Sequence, residues 1–180
     1  MVGVVEKGYA DVKFTARSNG GHASAPGRNT PLVRLGRFMA DIEDHPPFER
    51  RLSPTMEEMF RRLAPNMGFG LKAVLTNLWL FKPVLLKVLP AINASAGAMT
   101  QTTLAFTTAK GSDGLNVLPQ EASVCANLRF IPHQGTDESI ALITDMAEKF
   151  GLETEVIYKG YPSKSLDLKG EAFAIVQDTI

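Results

Sequence analysis

The stretch Tyr9–Arg17, with the sequence YADVKFTAR, alternates apolar and polar side chains at every position. Side chains two residues apart lie on the same side of an extended chain, so this period predicts a half-buried β-strand. Its apolar face consists of Ala10, Val12, Phe14 and Ala16. Asn19-Gly20-Gly21 follows and predicts the end of the strand, since glycine adopts backbone angles that other residues avoid.

Three later segments, Thr100–Thr108, Glu121–Ile131 and Glu153–Tyr161, also have the composition or alternation of strands. On the middle one, the residues predicted to face the core are Ala122, Val124, Ala126, Leu128 and Phe130. The opposite face of that strand carries Ser123, Cys125, Asn127 and Arg129. On the last strand, one face is predicted to carry Thr154, Val156 and Tyr158.

Two helices are predicted between these strands. The first has Thr30 as its N-cap and Pro31 at its first position, and it stops at Asp44-His45-Pro46-Pro47. The second has Thr136 as its cap and ends at Gly151. Each carries an apolar stripe at helical spacing.

The resulting order is β-α-(insertion)-β-β-α-β, with about 48–99 as the insertion. Four strands that each have one apolar face, together with two helices, predict an α/β (α+β) two-layer sandwich. The order favours a ferredoxin-like arrangement with a four-stranded antiparallel sheet, and the sequence pattern leaves the positions of the strands in that sheet open.

The insertion contains a strongly apolar run, Leu71–Ile92, and a membrane span is one interpretation of it. Three lysines (Lys72, Lys82 and Lys87) and two prolines (Pro83 and Pro90) interrupt the run. A lysine at the centre of a span costs about 2.5–3.5 kcal/mol. We therefore expect no membrane span, but a helical insertion that packs on the domain or on a partner and provides a hydrophobic interface.

The charge balance argues against a nucleic-acid-binding protein, and the cysteine content excludes a protein stabilised by an internal disulfide bond. Lys and Arg number 19, as do Asp and Glu, and this balance argues against a nucleic-acid groove, which needs concentrated positive charge. Cys125 is the single cysteine, so the chain cannot form an internal disulfide bond.

A zinc site needs three or four converging His, Cys, Asp or Glu ligands. His22, His45 and His133 lie in three separate predicted loops, without the spacing of a metal motif. The pair Glu57-Glu58 stands four residues before Arg61-Arg62, which predicts one arginine partner for each carboxylate on a solvated helix. We predict no metal within this chain.

Three residues remain as candidates for chemistry: His22, Asn116 and Arg129. Residue type alone describes them as a surface-loop histidine, a turn residue and a solvated strand residue. Ser24 lies two residues after His22, but no orienting acid or G-x-S-x-G turn accompanies it, so we interpret it as a turn residue rather than a nucleophile.

Three segments, taken together and in order, resemble a known family. They are Asn19-Gly20-Gly21-His22-Ala23-Ser24-Ala25-Pro26, Asn116-Val117-Leu118-Pro119 and the strand from Glu121-Ala122 to Asn127-Leu128-Arg129. The set resembles the dimerisation (lid) domain of the zinc-dependent carboxypeptidase/aminoacylase family, and is most similar to Gly-Xaa carboxypeptidases of the carboxypeptidase S type. That branch also tends to carry a long apolar insertion in this domain.

The resemblance implies a homodimeric parent hydrolase with two zinc ions in a separate catalytic domain, so that this chain alone is inactive and binds no cofactor itself. It implies that His22 reaches the active site of the other subunit and stabilises the oxyanion of the tetrahedral intermediate. It also implies that Asn116 and Arg129 contact the substrate, a small peptide or an N-acyl amino acid, notably at its carboxylate.

The same resemblance implies that the catalytic domain is split around this one. We expect 1–8 to be the remnant of one linker, 9–162 the dimerisation domain, and 163–180 a second linker and the start of a helix that returns to the catalytic domain. The strand-like run Val2–Glu6 and the unfinished helical pattern Leu168–Ile180 fit that expectation. The alternatives are a free-standing, non-enzymatic ferredoxin-like interaction or regulatory module and, third, a membrane-attached module.

Overall fold

The computed structural model describes residues 3–179, so Val2 and Ile180, at the outer ends of the two terminal segments, lie outside the described residues. The strands are β1 (Gly8–Arg17), β2 (Gly21–His22), β3 (Thr103–Lys110), β4 (Val117–Leu118), β5 (Glu121–Phe130) and β6 (Glu153–Lys159). The helices are α1 (Pro31–Asp44), α2 (Pro54–Leu63), α3 (Phe69–Thr76), α4 (Leu78–Ile92), α5 (Ala94–Ala98), α6 (Thr136–Lys149) and α7 (Glu171–Thr179).

The four long strands form one sheet in the order β3-β5-β1-β6, and every neighbouring pair is antiparallel. Helices α1 and α6 pack on one face of this sheet. The predicted two-layer, ferredoxin-like sandwich is therefore confirmed, and the strand order that the pattern left open is settled. The short strands β2 and β4 pair with each other in a separate ribbon, which the sequence pattern did not predict.

The core lies between the sheet and the two helices. All five residues predicted to face inward from β5 are buried, as are the four from β1. Phe38 of α1 sits at the centre, with ring centroids 4.7 Å from Phe14, 5.8 Å from Phe106 and 6.0 Å from Phe150. Aromatic rings at these distances interact favourably with one another, in addition to the stabilisation that comes from burying their apolar surface.

A β-bulge corrects the prediction for the last strand. The register of β6 against β1 shifts between Asp11 and Val12, so Val156 pairs with Val12 but Tyr158 pairs with Asp11. Tyr158 therefore lies on the outer face of the sheet, away from the face of Val156, because the extra residue reverses the alternation. The prediction that both share one face was wrong.

Two local contacts in the structure also differ from the contacts predicted from the sequence. Gly135, not Thr136, is the N-cap of α6, and the Thr136 hydroxyl donates to the Gly160 carbonyl at 2.8 Å. Glu58 binds both arginines of α2, whereas Glu57 pairs with Lys82 at 2.6 Å. The pairing of each glutamate with its own arginine was therefore wrong, because the insertion folds back and brings α4 beside α2.

The insertion forms helices α2 to α5. Its root is anchored, since Phe48, Leu52 and Met56 are buried. The apolar run does not stop at its prolines, for α4 continues through Pro83 and Pro90, and the chain instead bends by 110° between α3 and α4. No single helix in residues 3–179 has the length and apolar character to cross a membrane, although α3 and α4 together meet that test as a bent pair.

Replacing Phe38 with Ala should lower the free energy of unfolding by about 3–5 kcal/mol, because the aromatic cluster would lose its central ring and retain a cavity. Denaturant unfolding measures the change. Val33 of the same helix is 45% exposed, so Val33→Ala is the matched control and should change stability by less than about 0.5 kcal/mol. Equal effects of the two substitutions would contradict the assignment of the core.

Candidate functional site

His22 lies at the end of β2, in the ribbon that β2 forms with β4 beyond one end of the main sheet. It pairs with Val117, and Gly21 pairs with Leu118. The Ser18 amide donates to the Gln120 carbonyl at 2.8 Å, which continues the pairing of β1 and β5 toward the ribbon. The histidine loop is thus held by backbone hydrogen bonds and projects its exposed side chain outward.

The two glycines before His22 are required by the backbone. Gly20 has φ of 68° and Gly21 has φ of 142°, both in the region that side chains disfavour. A Cβ on Gly20 would also lie 2.8 Å from Cγ of Gln120. The turn therefore depends on glycine at this position, and it allows the chain to leave β1 and present His22.

The hydrogen bonds of His22 fix which ring nitrogen carries the proton. Nδ1 accepts from the Ser24 amide at 3.2 Å and lies 2.7 Å from the Ser24 hydroxyl. A backbone amide can only donate, so Nδ1 is the unprotonated nitrogen and the neutral ring carries its proton on Nε2. Among the described residues none hydrogen-bonds to Nε2, which leaves an outward N–H donor. Ser24 orients the histidine, a role beyond the turn residue that the sequence predicted.

Asn116 lies beside His22. Its carbonyl accepts from the Ala23 amide at 2.9 Å, and its own side chain is exposed. A shallow depression of about 320 Å³ flanks the ribbon, lined in part by Ser112, Asp113 and Glu121 but not by His22 or Asn116. The structure therefore brings two of the three predicted site residues together on an open surface rather than in an enclosed pocket.

Arg129 lies on the outer face of the sheet, as the alternation of β5 predicted. Its Nε donates to Oδ1 of Asn127 at 3.0 Å, and Nδ2 of Asn127 donates to Oδ1 of Asp11 at 2.7 Å. The guanidinium carbon stands 4.9 Å from the centre of the Tyr9 ring, which stacks on Tyr158 at 4.7 Å. Asn127 holds the edge of the guanidinium through Nε, and the Tyr9 ring packs against its flat face. The two terminal nitrogens have no partner among the described residues and could bind an anion.

The supporting residues of Arg129 were missed from the sequence. Alternation places Asn127 and Arg129 on the same face of one strand, but it does not reveal which residues lie opposite on the next strand. The observed register pairs Tyr9 with Arg129 and Asp11 with Asn127. This register brings the four side chains of these two pairs together in one cluster.

Arg129 is far from His22 and Asn116. It lies eight residues along β5 from Glu121, which pairs with Arg17 where the ribbon begins. At about 3.3 Å per residue this is roughly 26 Å, and the ribbon extends further still. The three predicted site residues therefore occupy opposite ends of the sheet and cannot contact one small substrate within a single chain.

A second cation stands near Arg129. Burial lowers the pKa of the Lys7 ammonium, and the positive charge of Arg129 lowers the same pKa further. The ammonium donates to the carbonyl oxygens of Ala98 and Gln101. Two positively charged side chains therefore stand close together at this end of the sheet, and a negatively charged ligand would relieve their repulsion.

Metal ligands are not gathered within residues 3–179. No group of three or more His, Cys, Asp or Glu side chains converges there. The Glu57-Glu58 pair is engaged with Lys82 and with two arginines, as described above. The residues of this part of the chain do not by themselves form a metal centre.

The comparison of the sequence with known families gives a match over most of the chain. The model of the peptidase dimerisation domain family matches residues 4–155, and the chain belongs to that family. It is 28% identical over 186 residues to the probable carboxypeptidase S-like 2 of Dictyostelium discoideum, covering 99% of this chain and 34% of that protein. It is 26% identical over 182 residues to the N-fatty-acyl-amino acid synthase/hydrolase PM20D1 of Mus musculus, covering 100% of this chain and 36% of that protein.

Solved structures share the fold at low sequence identity. The M20 family metallo-carboxypeptidase Sso-CP2 from Sulfolobus solfataricus aligns with a TM-score of 0.56 and 18% identity, over 93% of this chain and 46% of that one. Human carnosine dipeptidase 1 aligns with a TM-score of 0.54 and 13% identity, over 91% of this chain and 38% of that one. The chain spans about a third of the length of the curated relatives it matches.

Replacing Arg129 with Gln should raise the pKa of Lys7 part of the way toward its usual value, because a nearby positive charge is removed while burial remains. A pH titration of the Lys7 side chain followed by NMR measures this shift. Arg17→Gln, at the opposite end of β1, is the control and should leave the Lys7 pKa unchanged. An equal response to both substitutions would argue against the local interaction.

Proposed function

We propose that this chain is the dimerisation domain of a zinc metallo-carboxypeptidase or N-acyl amino acid amidohydrolase, and that it is inactive alone. Membership of the peptidase dimerisation family supports this, as do the carboxypeptidase-like and N-acyl-amino-acid names of the relatives. Two zinc ions in a catalytic domain outside this chain would polarise the scissile carbonyl and lower the pKa of a bound water. A homodimer would form through the domain described above.

The contact between the two ends of the chain supports the proposed boundaries. We place the domain body at 9–162, between one linker at 1–8 and a second at 163–180. The Ser163 amide donates to the Glu6 carbonyl, and the Leu166 amide donates to the Val4 carbonyl, both at 3.0 Å. Two linkers that run side by side would join one catalytic domain at a single end of the sheet.

That end is the one that carries Arg129. Tyr9 pairs with Arg129, and its carbonyl accepts from the Gly160 amide at 2.8 Å. The catalytic domain of the same subunit would therefore be tethered near Arg129, while His22 and Asn116 lie about 26 Å or more away. This separation is the observation that carries the proposal that His22 and Asn116 serve the active site of the partner subunit.

His22 suits the stabilisation of an oxyanion. Its protonated Nε2 faces outward, and the contact of Nδ1 with the Ser24 amide holds the ring in one orientation. An imidazole N–H that is fixed before the reaction can donate to negative charge as it develops on the tetrahedral intermediate. The adjacent Asn116 amide would contact the substrate at the same site.

Arg129 suits the recognition of a carboxylate. A guanidinium can bind both carboxylate oxygens with two parallel hydrogen bonds, and Asn127 and Tyr9 hold this one in place. Lys7 adds a second positive charge nearby. The substrate class that matches is a small peptide or an N-acyl amino acid with a free carboxylate.

In the full-length enzyme, His22→Ala should reduce kcat by about 10²–10³-fold, because one oxyanion donor is removed. Zinc content should remain the same, since His22 is not proposed as a ligand. Steady-state kinetics and metal analysis measure the two quantities. Turnover equal to that of the unaltered enzyme would refute the catalytic role of His22.

Mixed dimers test whether the histidine acts in trans. A His22→Ala subunit paired with an Arg129→Ala subunit would hold one site with both functional residues and one site with neither. An equal mixture that exchanges subunits freely should therefore recover about a quarter of full activity, from half of the dimers with one working site each. If both residues served the same subunit, every site would lack one of them and no activity would return.

Arg129→Lys should raise KM for a carboxylate substrate by about 10–100-fold, because the second parallel hydrogen bond to a charged group is lost. The same enzyme should be compared on a substrate whose carboxylate is replaced by an amide, for which the effect should largely disappear. A KM increase of the same size on both substrates would place Arg129 outside carboxylate recognition.

A further inference from the structure

The two helices α3 and α4 carry an unusual concentration of exposed apolar side chains. We call this segment, Phe69–Ile92, the apolar hairpin. Its large side chains with the greatest exposure are Phe69 (90%), Leu71 (49%), Trp79 (80%), Leu80 (55%), Val84 (56%), Val88 (40%) and Ile92 (75%). Seven such residues within 24 positions form a patch of the kind that marks an interaction site.

The apolar hairpin packs on its own insertion rather than on the domain. Helix α4 has no buried residue, and α3 has only Leu75. It is attached by α3, which packs on α2, by α5, where Gly97 lies close against Pro90, and by the Glu57–Lys82 ion pair with α2. The insertion therefore packs on the domain at its root, while along α3 and α4 the other predicted alternative, packing on a partner, stays a prediction.

The exposed residues of α4 are arranged along one side. Leu80, Val84, Val88 and Ile92 recur at intervals of four, which places them in a row on the helix surface. Trp79 stands at the start of that row, and α3 adds Phe69 and Leu71 across the bend. The shallow depression beside the His22 ribbon is lined by other residues, as is a second one between α2 and the segment Ser165–Lys169.

The charged residues that belong to the hairpin itself are all basic. The sequence contains no Asp or Glu from Met59 to Ser112. Lys72 and Lys87 are exposed on the hairpin itself, and Lys82 is already paired with Glu57. An exposed apolar row that carries basic residues and no acidic ones is complementary to a surface with negative charges in its outer layer and an apolar layer below them.

We propose that the apolar hairpin docks on an anionic lipid surface. The row on α4 and the aromatic side chains of Phe69 and Trp79 enter the boundary between headgroups and acyl chains, while Lys72 and Lys87 contact the phosphates. A 15-residue helix is about 22 Å long, a length that fits along such an interface. This placement lies in the plane of the membrane and differs from the crossing span that the lysines disfavour.

The charge pattern favours lipid over two other occupants. A second copy of this chain would bring the same positive charge against Lys72 and Lys87, and like charges repel. A single acyl chain of a substrate would be enclosed by a groove, whereas these side chains project outward. A second copy of this chain remains a distinguishable outcome of the experiment below.

Trp79 provides the probe, because it is the only tryptophan of the chain. Vesicles of phosphatidylcholine mixed with phosphatidylserine should move its emission to shorter wavelength and protect it from a soluble quencher. Vesicles of phosphatidylcholine alone should do so much less. Raising the salt from about 0.1 M to 1 M should weaken the effect, since the Debye length falls from about 10 Å to 3 Å.

Co-sedimentation with the same vesicles then compares variants. Trp79→Ser or Ile92→Ser should lower partitioning about tenfold, and the double variant Lys72→Gln with Lys87→Gln should lower it about thirtyfold at low salt. Leu115 is fully exposed outside the hairpin, so Leu115→Ser is the matched control and should change nothing. Far-UV circular dichroism of each variant verifies that its helices are retained.

Three results would overturn the proposal. One is equal partitioning of all variants, since lipid would then bind elsewhere. Another is self-association at high salt that Trp79→Ser abolishes, without any vesicle binding, which would assign the hairpin to a second copy. The third is vesicle binding by this chain but not by the full-length parent, because the remainder of that protein would then cover the hairpin.

Discussion

The antiparallel pairing of β1 with β5 is the interaction on which the rest of the structure depends. Ten consecutive residue pairs, from Gly8 with Phe130 to Arg17 with Glu121, fix the two central strands against each other. This register places the apolar residues of both strands on the same face, where α1 and α6 bury them. A shift by one residue would turn that set outward, so burial itself holds the register.

The same pairing also separates the candidate functional residues. Because the two strands run along each other for their full length, whatever lies at one end is about 26 Å from the other. Arg129 and its supporting network lie at the end of the sheet where the Gly160 amide donates to the Tyr9 carbonyl, and the His22–Asn116 ribbon lies at the far end. The proposed role of His22 in the partner subunit rests on this separation.

Much of the fold was predictable because its strongest signals are local. Alternation identified β1 and β5 and their inward residues, and helical spacing with Pro31 identified α1. The errors arose where a distant element decides a local feature. Tyr158 changes face because of a bulge against β1, Thr136 turns its hydroxyl toward Gly160, and Glu57 finds Lys82 across a fold in the insertion. None of these partners is near its residue in the sequence.

The sequence by itself determined which residues are candidates for chemistry and which face of each strand is apolar, because residue type and spacing are written in the chain. Only the tertiary structure decided where those residues stand. It brought Asn116 to His22, placed Tyr9, Asn127 and Asp11 around Arg129, and set the two groups at opposite ends of the sheet. It also decided that the apolar helices α3 and α4 face outward. The physical reason is that strand register and the packing of an insertion depend on contacts between segments far apart in sequence, which no local pattern encodes.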